Sequence, residues 1–153
     1  VLLVDDERGA REAMREALDG AGFGVAIAPR TDAALEAVGT RSAPPPAVLV
    51  AAVDAAARGM PDGLALAAEA RRRWPGVGVV YVTGRRPSRL DGQALGPRDR
   101  FLPKPVAPGA LVRAVGGLAR SPIHRVLVKR GRGTAVIAGG YALTAPHSPD
   151  RRD

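Results

Sequence analysis

Short apolar runs alternate with stretches of helical spacing five times between Val1 and Leu118, and this constrains the fold more than any other feature of the chain. A strand followed each time by a helix returns to the same edge only if the strands run parallel and helices cover both faces of the sheet. The strands are predicted at Val1 to Val4, Phe23 to Ala28, Ala47 to Val53, Val77 to Val82 and Phe101-Leu102. The helices are predicted at Glu7 to Ala21, from a Thr31 cap to Val38, Gly63 to Trp74, Ser88 to Leu95 and Pro108 to Leu118. Ala47 to Val53 has no polar interruption, as a strand buried on both faces requires. The expected class is α/β, a doubly wound five-stranded parallel sheet in the order 2-1-3-4-5. In such a sheet ligands collect outside the carboxyl ends of the strands, where the first and third diverge. Asp5, Asp6 and Asp54 fall near that place.

The 153 residues suffice for one domain of this kind, expected at 1–120. A basic extension over 121–153 follows, reading partly as a hairpin and partly as disorder. The opening Val1-Leu2-Leu3-Val4-Asp5-Asp6 lacks the basic and long apolar regions of a secretory signal. With no apolar run of membrane length and no cysteine, the expectation is a soluble, cytoplasmic protein with no membrane partner. Zero cysteines exclude thiol chemistry, and two histidines late in the chain make an imidazole-based enzyme a poor reading. The net charge of +8 invites nucleic acid as a partner, but its distribution argues otherwise. Residues 1–84 carry 9 basic and 11 acidic side chains, 85–120 carry 8 and 2, and 121–153 carry 6 and 2. With 5 aromatic residues there are too few rings for base stacking, so nucleic acid is not the expected partner. Arg71-Arg72-Arg73 reads as a solvated helix end that suits the helix dipole.

Adjacent carboxylates at Asp5 and Asp6 must repel each other or share a cation. Mg²⁺ fits, because it takes one or two carboxylates and completes its shell with water and phosphate oxygens. The plainer alternative is that one of the two caps the following helix. Thr83 ends the fourth strand and Lys104 follows the fifth, which puts a hydroxyl and an ammonium on the same rim, each able to contact a phosphoryl oxygen. Lys104 is one of two lysines among 23 basic residues and stands between Pro103 and Pro105. The Lys104-Pro105 bond is a candidate cis peptide.

Val1-Leu2-Leu3-Val4-Asp5-Asp6-Glu7, Gly59-Met60-Pro61-Asp62-Gly63-Leu64, Val79-Val80-Tyr81-Val82-Thr83-Gly84 and Phe101-Leu102-Pro103-Lys104-Pro105, in that order, resemble the receiver domain of two-component response regulators. The resemblance covers about residues 1–120. It implies a flavodoxin-like domain that accepts a phosphoryl group from a histidine kinase or phosphotransfer protein on an aspartate. Mg²⁺ would be held by Asp5 and Asp6, the phosphoryl group by Thr83 and Lys104, and Phe101 would be the switch aromatic. Such a domain is a signalling module and not an enzyme.

Two anchors place the phosphoacceptor differently. Counting forward from Pro46, where the family has four apolar residues before its aspartate, lands on Ala52. Counting back from Met60 to Gly63 comes nearer to Asp54, 8 residues before Asp62, whereas Ala52 lies 10 before it. The forward count is preferred, because a strand is harder to lengthen than a loop, and Ala55-Ala56-Ala57-Arg58 resembles an expanded loop. Asp54 shares a strand face with Ala52 but lies about 6.6 Å further along, beyond the roughly 3–3.5 Å that in-line transfer tolerates. With Asp54 as acceptor the domain is a phospho-aspartate switch. With Ala52 in that place it is degenerate, or a pseudo-receiver acting as an interaction module without phosphorylation. The basic face built from the 88–95 helix, the fifth strand and the last helix is expected to meet an acidic protein surface.

Overall fold

A computed structural model describes residues 1–39, 45–53, 63–84 and 96–119. In chain order the elements are β1 (Leu2–Val4), α1 (Arg8–Gly20), β2 (Ala26–Ala28), α2 (Thr31–Gly39), β3 (Val48–Ala52), α3 (Gly63–Arg73), β4 (Gly78–Thr83), β5 (Asp99–Pro103) and α4 (Pro108–Ala119). The five strands form one sheet in the order β2-β1-β3-β4-β5, and every pairing is parallel. This is the expected doubly wound order. The predicted helix over 88–95, the extension over 121–153 and Asp54 lie outside the described residues.

The sheet carries a core on each face, sorted by strand parity. Leu2, Val4, Leu49, Ala51, Val79 and Tyr81 face α2 and α3, which contribute Ala34, Leu66, Ala67 and Ala70. Leu3, Val48, Val50, Val80 and Val82 face α1 and α4, which contribute Met14, Leu18, Leu111, Val115 and Leu118. All residues of β1, β3 and β4 are buried. That explains their unbroken apolar sequence, since neither face meets water.

The boundaries differ from expectation where local hydrogen bonds decide them. Phe23 was expected to open the second strand, but its N–H donates to the Leu18 carbonyl at 3.0 Å while that of Gly22 donates to Asp19 at 2.9 Å. Gly22, at φ +86°, takes the left-handed turn this helix stop requires. Phe23 and Leu18 pack into the same core. Thr31 is not a cap: α2 begins at Thr31, the Arg30 carbonyl accepts from the Ala34 N–H, and Asp32 Oδ1 accepts from the Ala33 N–H. The fifth strand is longer than its two apolar residues indicated. Asp99 anchors its start, accepting the Gly96 N–H at 2.7 Å and pairing with Arg71, so the first arginine of the triplet is bridged rather than simply solvated. No helix among the described residues is long and apolar enough to cross a membrane.

Candidate functional site

The parallel register sets the strand ends level with one another. Val4 pairs with Ala51, Ala51 with Tyr81 and Tyr81 with Phe101, which makes one continuous row across four strands. Asp5 follows directly on that row, level with Ala52. One step beyond, Thr83 is opposite Pro103, and the Lys104 N–H donates to the Thr83 carbonyl at 2.9 Å. The carboxyl end of the sheet therefore gathers Asp5, Ala52, Thr83 and Lys104 from four strands.

Asp5 is the pivot. It is buried, and its Oδ1 accepts the Glu7 N–H at 2.8 Å. That bond turns the chain toward α1 but does not cap it, because Glu7 is the N-cap and uses no side-chain bond. Lys104 extends from β5 across the ends of β4 and β3, and its Nζ lies 3.1 Å from Asp5 Oδ2 and 3.4 Å from Oδ1. The Lys104 side chain is 18% exposed and that of Asp5 is 0% exposed, so the pair is largely removed from solvent. Glu7 stands at the rim, its Oε2 3.8 Å from the same ammonium. Arg11, one turn into α1, donates from Nη1 to the Asp5 main-chain carbonyl at 2.7 Å. Asp6 is exposed. The Lys104-Pro105 peptide is cis.

Thr83 is buried on the opposite face of the sheet, the face of Val79 and Tyr81. The Tyr81 ring stacks on Phe101 with centroids 5.0 Å apart and planes inclined by 20°. Of the expected site residues, Asp5 and Lys104 are in direct contact, while Thr83 ends β4 and Phe101 lies in β5. Glu7, Arg11 and Tyr81 had no assigned role from sequence. The signal for the first two was the acid-rich strand end followed by an arginine one helical turn after Glu7. For Tyr81 it was a ring directly across a strand pair from Phe101.

Ala52 sits where the forward count puts the acceptor. Its carbonyl lies under Gly63, where an added Cβ would come within 2.4 Å of that oxygen. Ala52 is thus pinned between the Asp5 row and the start of α3. A cleft of about 450 Å³, lined by Glu7, Ala10, Ala13, Met14, Lys104, Pro105 and Val106, opens beside the ion pair.

The donor set can be compared with Mg²⁺, which needs oxygen ligands at about 2.0–2.1 Å in a near-octahedral shell. Asp5 Oδ2 is buried without a hydrogen-bond partner, which suits a cation, but the Lys104 ammonium already stands against it. Asp6 offers a second, exposed carboxylate. Among the described residues no group of three or more acidic or imidazole side chains is placed to hold a metal. Among the described residues, Asp5 and Asp6 are the carboxylates that could contribute to a divalent ion here, and Asp5 is ion-paired to Lys104.

Comparison with known proteins agrees with the geometry. The family model described as "Response regulator receiver domain" matches residues 1–116. Among solved structures, a response regulator receiver protein from Sinorhizobium medicae WSM419 is similar at 27% identity and a TM-score of 0.69, covering 78% of this chain and 93% of that one. The receiver domain of NtrX from Brucella abortus is similar at 26% identity and a TM-score of 0.65, covering 78% and 98%. The response regulator TrrA from Thermotoga maritima, solved in complex with Mg²⁺ and BeF, shares the fold at 22% identity and a TM-score of 0.62, covering 76% and 96%. The sequence has no match among curated proteins.

Proposed function

The chain belongs to the family of response regulator receiver domains, and from that premise we propose that it serves two-component signalling as a degenerate receiver, an interaction module whose site does not form an acyl phosphate. The observation that carries this reading is Ala52, which ends β3 one residue past the Ala51 that pairs with Val4, with its carbonyl beneath Gly63, at the place where the forward count from Pro46 puts the family's nucleophile. Phosphoryl transfer asks the protein mainly for positioning and charge neutralisation around an attacking oxygen. On this reading Asp5, Thr83 and Lys104 remain, and Ala52 supplies no carboxylate for them to serve.

The partners that fit are a histidine kinase or phosphotransfer protein, and an acidic surface meeting the basic side of β5 and α4. Arg100 and Arg113 are exposed on those two elements. A receiver unit over 1–120 with a basic extension over 121–153, working in the cytoplasm without its own enzymatic activity, completes the reading.

The alternative rests on sequence spacing alone: Asp54 as acceptor, with Mg²⁺ at Asp5 and Asp6. Incubation with Mg²⁺ and acetyl phosphate or beryllofluoride, followed by intact mass and amide spectra, separates the two. No adduct on the natural chain and a gained adduct in Ala52→Asp are expected. An adduct on the natural chain that disappears in Asp54→Ala overturns the degenerate reading.

A further inference from the structure

We propose that the start of β5, at the amino end of the sheet, is a docking site for an acidic polypeptide segment, gripped by the guanidinium groups of Arg98 and Arg100. The inference rests on the reading of an acidic protein partner given above, and adds where that partner is held and by which charges.

β5 stands at one edge of the sheet and begins at Asp99. The Arg98 carbonyl accepts the Val79 N–H at 2.9 Å, so the strand pairing continues back to Arg98. Residues two apart on a strand leave the chain on the same side, about 6–7 Å from each other. Arg98 and Arg100 are such a pair, the first half-buried and the second exposed.

Both guanidinium groups are held by neutral oxygens. Arg98 Nη2 donates to the Leu118 carbonyl at the end of α4 at 3.0 Å. Arg100 Nη1 donates to the carbonyls of Pro97 and Asp99 at 3.0 and 2.7 Å. A carbonyl orients a guanidinium without cancelling its charge, and each group has further N–H donors beyond the nitrogen used here. The nearby acids already have cations of their own: Asp99 pairs with Arg71 and Glu69 with Arg72, both on α3. Arg98 Nε is buried with no hydrogen bond, so part of the cost of stripping water from this group is met before any partner arrives.

Fork-shaped donors fixed in place suit carboxylates and phosphates. Carboxylates are favoured, because nucleic acid bound as single strands calls for rings at the surface, and Trp74, which follows α3, packs against the apolar core. Two acids at alternate positions of an extended segment, or one turn apart on a helix, span the distance between the two arginines. The Arg72 side chain is 78% exposed, and its surface pair with Glu69 is weak enough to add attraction at the margin.

The test uses the full chain at low salt and a fluorescent peptide of alternating Glu and Ser, with a Gln and Ser peptide and a short DNA duplex as comparisons. Anisotropy is expected to show saturable binding of the acidic peptide, weakened by salt, and none of the neutral one. Arg98→Gln with Arg100→Gln should lower the affinity by about tenfold or more, whereas Arg15→Gln on α1 should leave it unchanged. Arg100→Glu alone, at an exposed position, carries the test if the double variant fails to fold, and should create affinity for a peptide of alternating Lys and Ser. Full affinity in Arg100→Glu, with a loss in Arg113→Gln on α4, would overturn this docking site while leaving the acidic-partner reading in place. No binding of the acidic peptide by the natural chain would overturn both, and tighter binding of the duplex than of the peptide would overturn the partner class.

Discussion

Gly63 lies directly on the main chain of Ala52: a Cβ at position 63 would sit 2.4 Å from the Ala52 carbonyl oxygen, 3.1 Å from its carbon and 3.3 Å from the Ala51 Cβ. The atoms in the way are backbone and the root of a buried side chain, not the far end of something flexible. The first turn of α3 is thereby seated on the last residue of β3, and the strand end is held in place.

Gly63→Ala is therefore expected to lower stability by about 1–3 kcal/mol, the usual cost of overpacking a well-filled contact. Chemical denaturation reads it. A control at Gly9, where nothing lies within 4 Å of the added atom, should be neutral or slightly stabilising. Equal effects at the two positions would show that the contact at Ala52 does not constrain the strand end.

Asp99 joins three pieces of chain at the amino end of the sheet. Its side chain is 4% exposed, pairs with Arg71 at the end of α3, and accepts the Gly96 N–H through Oδ2 at 2.7 Å. Asp99→Ala removes both partners and is expected to cost about 1–3 kcal/mol. Asp99→Asn keeps an acceptor for Gly96 and should cost less. Arg71→Ala should cost least, because that arginine is 36% exposed and water replaces part of its role. Denaturation midpoints give the ranking, and a larger loss at Arg71 than at Asp99 would contradict it.

What was legible in the sequence, and what was not, follows from the range of the forces involved. β3 and β4 could be read almost to the residue because both faces are buried, which leaves no polar residue to blur the pattern. β5 could not, since three of its five residues are half-buried and its start is fixed by the Arg71–Asp99 bridge, a contact 28 residues apart. Asp5 and Lys104 could be matched to a motif, but their direct contact, 99 residues apart in sequence, exists only through the strand order. Glu7 is the same case: its helix-start position was readable, while its approach to Lys104 is a product of where β5 ends.

Acid should weaken one contact at the start of α2. The guanidinium of Arg30 hydrogen-bonded to Asp32, together with the Ala33 N–H, holds the Asp32 carboxyl below the ordinary aspartate range. Because the folded value is depressed, the stabilising contribution is full above the unfolded value and is lost as pH falls through the folded one. Carboxyl-carbon NMR should place the Asp32 midpoint below that of an unpaired aspartate, with Arg30→Gln moving it upward. An Asp32 midpoint indifferent to Arg30→Gln would show that the pair does not form in solution.

The Tyr81–Phe101 stack gives the last expectation, because it couples the strand that ends in Thr83 to the strand that leads to Lys104. The rings lie 5.0 Å apart at 20°, in register across β4 and β5, and both pack into the core shared with α3. A double-mutant cycle through Tyr81→Leu and Phe101→Leu should return a coupling of about 0.5–1.5 kcal/mol, the range for such aromatic pairs. In a receiver that forms an acyl phosphate, an anion drawing on Thr83 would disturb this pair two residues away on the same face. On the degenerate reading, with no carboxylate at position 52, the natural chain lacks this trigger. Its Phe101 ring resonances should therefore be unmoved by Mg²⁺ with beryllofluoride, whereas those of Ala52→Asp should shift. A shift in the natural chain that is abolished by Asp54→Ala would instead assign the trigger to Asp54.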